Sequence, residues 1–82
     1  MAGDHNETIK LCNLGIENAL KWGRCINLPS LLLNKGYALT MQDKKEEAAE
    51  RLQEAYYMFR IMDKLYGCEY IEQFASDNGI TI

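Results

Sequence analysis

Four side chains in this sequence carry soft metal-ligating or nucleophilic atoms: His5, Cys12, Cys25 and Cys68. Structural zinc draws its ligands from paired short spacings, and a thiol nucleophile needs a firmly held base within hydrogen-bond reach. Here the gaps are long and irregular, and His5 stands in a chain end expected to fray. Neither a metal centre nor a thiol–imidazole pair is expected. An odd number of cysteines without a C-x-x-C reads instead as reduced thiols used as small buried hydrophobes. The carboxylates Glu46, Glu47, Glu50 and Glu54 would need a shaped pocket for acid–base work. Their spacing puts them on a solvated helix face, with Arg51 four residues after Glu47. There is no glycine-rich phosphate loop. No catalytic, cofactor-binding or metal-binding residue is assigned, and no enzymatic activity is expected.

The elements that carry these groups follow from composition and periodicity. A chain of 82 residues with 48% hydrophobic and 26% charged residues suits one small domain with its own core. The net charge of −3, with basic residues scattered, excludes the concentrated positive field that nucleic-acid binding needs. No apolar run approaches the roughly 20 residues that span a bilayer. Residues 1–6 hold neither a basic leader nor an apolar stretch, so we expect a cytoplasmic protein with no membrane association.

Apolar residues recur at three- and four-residue steps throughout, and the interruptions carry helix-end chemistry, so the expected fold is all-α with about four helices. The first helix opens after Asp4 or Asn6 as N-cap and presents Ile9, Cys12, Ile16, Ala19, Leu20 and Ile26, with Leu11, Leu14, Trp22 and Cys25 as a second stripe. Gly15 and Gly23 are expected to admit a neighbouring helix closely. Asn27 is placed to cap a second helix with Pro29 in its first turn, running to about Gln42. Asp43 and Glu46 read as a capping box for a long third helix that continues through Leu65 to a C-terminal Gly67. A short fourth helix is expected over about 68–78.

Residues 29–62 form one helical hairpin in this reading. Leu32, Gly36 and Leu39, then Ala48, Leu52 and Ala55, resemble the tetratricopeptide repeat in pattern, and the length fits its 34-residue period. By the same comparison Cys12, Ile16 and Ala19 look like the second helix of a preceding repeat, and residues 68–78 like a capping helix. Lys35 departs from the motif's apolar position. Arg60 stands where the motif prefers a helix-ending proline, from which a third helix longer by about a turn and a half is expected.

A narrower resemblance runs from about Leu28 to the end, carried by 28–39, by 43–48 and by 54–59, with 78–82 as its close. These strings are similar to the C-terminal helical region of Firmicutes helix-turn-helix transcriptional regulators. The resemblance implies an oligomerisation or peptide-sensing function. The helix-turn-helix domain of full-length members is missing here, so the expectation is a C-terminal fragment or a stand-alone adaptor that does not itself contact DNA.

Tyr37, Met41, Tyr57, Met58 and Ile61, with Trp22, exceed what a four-helix core needs and are of the types enriched at contact surfaces. Three uses stand open: a homodimer seam, a groove for a peptide or protein ligand, and mutual covering within one chain. The apolar stretch 55–62 and the small size of the domain favour the homodimer, with Tyr37, Met41, Tyr57, Met58 and Ile61 as the partner-binding candidates.

Overall fold

The computed structural model describes residues 5–23 and 27–82, so Asp4, Cys25 and Ile26 lie outside the described residues. Four helices make up the described chain: α1 (His5–Trp22), α2 (Leu28–Met41), α3 (Lys45–Ile61) and α4 (Leu65–Asp77). Each packs chiefly on its neighbour in sequence, α1 on α2, α2 on α3 and α3 on α4. The pairs are antiparallel: Gly15 meets Leu31 while Asn6 meets Gln42, Gly36 meets Leu52, and Gly67 meets Phe59 while Glu72 meets Tyr56.

Each of these three crossings is set by a glycine. A Cβ on Gly15 would lie 2.9 Å from Leu31 Cδ2, one on Gly36 2.8 Å from Leu52 Cδ2 and Cγ, and one on Gly67 2.5 Å from Phe59 Cγ. The missing side chain lets a large apolar group of the facing helix sit directly on the backbone, which draws the axes together. Around the middle crossing Leu32, Leu39, Ala48, Leu52 and Ala55 are all buried, and this cluster continues through Phe59, Cys68, Ile71, Ala75 and Ile80 into α4. Pro29 is fully enclosed in the first turn of α2, where its absent N–H leaves no bond unmade.

Helices α2 and α4 end where the sequence places their ends, near Gln42 and at Asn78-Gly79, and α2, α3 and α4 share one kind of ending. Asp43 does not cap α3; it terminates α2 with φ +62°, and Lys44 precedes α3 without a side-chain cap. The Lys44 N–H donates to Leu39 O at 2.9 Å and the Asp43 N–H to Thr40 O at 3.0 Å, the paired bonds of a Schellman ending. The same ending closes α3, with Asp63 at φ +59° and the Lys64 N–H on Phe59 O at 2.8 Å. It closes α4 as well, with Gly79 at φ +67° and the Ile80 N–H on Ala75 O at 2.8 Å.

The third helix therefore stops at Ile61 instead of running through Leu65, and Arg60 in its last turn does not prolong it. Gly67 is not its terminator but an inner residue of α4, which begins at Leu65 and not near Cys68. Gly23, expected at a close approach, takes φ +68° with nothing within 4 Å of its would-be Cβ and so lies beyond any crossing. Asn27 has helical backbone angles and makes no side-chain cap bond. Asn6 lies inside α1, where its Oδ1 accepts from Gln42 Nε2 at 2.5 Å across to the α2–α3 turn. Among the described residues no helix is long and apolar enough to cross a membrane.

Candidate functional site

The turn at Asp63 folds α4 back along α3 and beside α2, and this opens a groove between α2 and α4 with α3 beneath. Ser30, Leu33, Asn34 and Tyr37 of α2 line one wall, Tyr66, Gly67 and Tyr70 of α4 the other, and Phe59 of α3 the floor. The volume is about 660 Å³. That is within the range of about 300–1,000 Å³ found for ligand-binding clefts. None of the eight lining residues carries a formal charge at neutral pH. Polar atoms are limited to the tyrosine hydroxyls, the Ser30 hydroxyl, the Asn34 amide and backbone.

Ring contacts hold the walls. Tyr37 leans on Phe74 with centroids 5.5 Å apart, and Phe74 stacks on Tyr70 at 6.3 Å with an interplanar angle of 9°. Tyr66 tilts over Phe59 at 6.3 Å, and the His5 ring meets the edge of Tyr37 from the α1 side at the same separation. Such pairs fix ring orientation and contribute about 0.5–1.5 kcal/mol each beyond burial. Tyr66 and Tyr70, one helical turn apart, remain 68% and 52% exposed, so this aromatic wall is open to a visitor.

The sequence-derived candidates are distributed over the surface. Tyr37 lines the groove. Met41 is exposed at the C-terminal end of α2, four residues further on. Tyr57 lines a different, smaller depression with Gln53, Tyr56, Glu72 and Ile82. Met58 is half-buried and packs against the core, and Ile61, at the end of α3, is 85% exposed. The stretch 55–62 is covered within the chain at Ala55 and Phe59, which are buried, and at Tyr56 and Met58, which pack on the core. Tyr66 and Tyr70 were not singled out from the sequence, because the expected long third helix absorbed Tyr66 and the expected start of α4 left Tyr70 in its first turn. Their spacing of four residues, continued by Phe74, is the signal that marks an aromatic helix face.

The remaining chemistry-bearing groups serve packing. Cys12 and Cys68 are free and buried. Burial pushes the Cys12 thiol above its ordinary value of 9.0, opposed by the Lys35 charge. Cys68 Sγ donates to Tyr56 O at 3.6 Å. The Tyr56 hydroxyl donates to Glu72 Oε1 at 3.0 Å, tying α3 to α4, and this bond, reinforced by the carboxylate charge, raises the phenol above 10.0. Arg51 pairs with Glu54 at 2.6 Å and with Glu50 at 3.4 Å rather than with Glu47. Among the described residues no three His, Cys, Asp or Glu side chains come together as metal ligands.

No family model, curated protein or solved structure matches the chain.

Proposed function

We propose that this chain is a non-enzymatic interaction module of the tetratricopeptide-like kind, and that the α2–α4 groove receives an extended peptide segment. The observation that carries the reading is the groove's lining: Leu33, Tyr37, Tyr66 and Tyr70 over Phe59, without a charged side chain. An uncharged aromatic lining has no means of repaying the desolvation of a phosphate or nucleotide. A peptide fits better, since its apolar side chains can lie against the rings while its amides meet the tyrosine hydroxyls and Asn34. Successive antiparallel helices crossing at Gly36, Ala48, Leu52 and Ala55 support the repeat-like reading, as does the sequence resemblance described above.

That resemblance further supports a place in a cytoplasmic bacterial transcriptional regulator, as its oligomerisation or ligand-sensing C-terminal part, with no direct contact to DNA. A stand-alone adaptor would use the same groove. The test is a titration of the chain with uncharged, aromatic-containing peptides, followed by NMR of the tyrosine rings. We expect Tyr37, Tyr66 and Tyr70 resonances to move together and Tyr70→Ala to abolish the response. Shifts confined to Tyr57, or none with any peptide, would overturn the groove assignment.

A further inference from the structure

Helix α1 packs Ile9 and Ile16 on the core but leaves other large apolar side chains in the open. Its buried residues are the small Cys12 and Ala19; Leu20 is 64% exposed on one flank, while on the other Leu11, Leu14 and Trp22 are 59%, 51% and 68% exposed. At about 100° per residue these three fall in one strip roughly 80° wide, with Asn18 between them. Beside the strip lies a hollow of about 520 Å³ lined by Gly15, Asn18, Ala19, Trp22, Asn27 and Leu31. At the far end of the helix stack α4 exposes the polar Glu69, Glu72, Gln73, Ser76 and Asp77, its exposed Tyr66 and Tyr70 belonging to the groove wall and Leu65 to its first turn. Stacked helices carry a polar outer face where they end, and an apolar strip marks a face that something covers.

We propose that the cover is a second copy of this chain, its α1 packed antiparallel on the first about a two-fold axis near Leu14. The charge order of α1 argues for this occupant. Its only charged residues are Glu7, Lys10, Glu17 and Lys21. Inverting the helix about Leu14 sets Glu7 opposite Lys21 and Lys10 within one residue of Glu17, so each acid meets a base from the other copy. A slip of one turn in either direction sets Glu7 against Glu17 or Lys10 against Lys21, and a parallel arrangement sets every charge against its like. Electrostatics thus selects both orientation and register, as expected of an isologous contact. In that register Leu11 and Leu14 of one copy come to the hollow beside Gly15 and Asn18 of the other. The contact is independent of the α2–α4 groove.

Sedimentation equilibrium on the full chain tests it. We expect twice the 9.4 kDa monomer mass at tens of micromolar. Leu14→Asp should weaken association at least about tenfold with helicity unchanged, while Ile61→Asp, on still more open surface, leaves it intact. Lys10→Glu alone should weaken the dimer, and Lys10→Glu combined with Glu17→Lys should restore it. These residues are about 10 Å apart along one helix, so they cannot pair within a copy. A chain that stays monomeric throughout, a dimer indifferent to Leu14→Asp, or a double variant no tighter than the single one would each overturn the proposal.

Discussion

Gly67 lies so close under Phe59 that the ring takes the place a side chain would need: the ideal Cβ position is 2.5 Å from Cγ and 2.7 Å from both Cδ atoms. Phe59 is 4% exposed, and the atoms in the way are its Cγ and Cδ rather than the far end of a flexible side chain. Gly67→Ala gains little helix propensity in the first turn of α4 and meets the overpacking cost of about 1–3 kcal/mol. We expect a net loss of about 1–2 kcal/mol in urea unfolding. An unchanged midpoint would contradict the crossing.

The α2–α3 crossing makes a parallel prediction with a larger group. Leu52, fully buried, occupies the space over Gly36. Gly36→Leu should force the hairpin apart and cost at least about 1–3 kcal/mol, read as a lower melting temperature.

Asp43 and Asp63 hold left-handed backbone at +62° and +59°, a conformation that costs a residue bearing a Cβ and that glycine adopts freely. Asp43→Gly and Asp63→Gly should each stabilise the chain by about 0.5–1 kcal/mol, and the two should add, since the turns lie at opposite ends of α3. Calorimetry that shows either variant melting lower would refute the strain argument.

The raised thiol of Cys12 and phenol of Tyr56 make stability fall on the alkaline side. For both groups the folded protein favours the protonated form. The Cys12 contribution is complete below 9.0 and is lost as pH rises through its higher folded value; for Tyr56 the same holds from 10.0 upward. Melting temperatures followed from neutrality past these values should decline, and Tyr56→Phe with Cys12→Ala should flatten the decline relative to the parent. Equal slopes would remove these groups as its cause.

Much of the architecture was legible before any coordinates, because three- and four-residue periodicity identifies helices whatever their neighbours do. Leu32, Gly36, Leu39, Ala48, Leu52 and Ala55 are buried as their spacing implied. The boundary between α3 and α4 was not legible. Met62-Asp63-Lys64 contains neither glycine nor proline, and Met62 and Leu65 prolong the apolar spacing of α3, so helix periodicity runs on through a turn that tertiary packing makes. A clue was present in the likeness of Gln42-Asp43-Lys44 to Met62-Asp63-Lys64, twenty residues apart. With that boundary misplaced, Tyr66 and Tyr70 do not read as a single wall, so a groove with Tyr37 on its lining is foreseeable from the sequence but its α4 side is not.

Because each helix rests mainly on the one next to it along the chain, ordering this polypeptide closes only short loops. Acquisition of structure can start in any hairpin and spread outward, on the microsecond-to-millisecond scale of topologies with local contacts. The same linear wiring means that trimming α4 would remove one layer and fray its neighbour instead of dissolving the whole molecule.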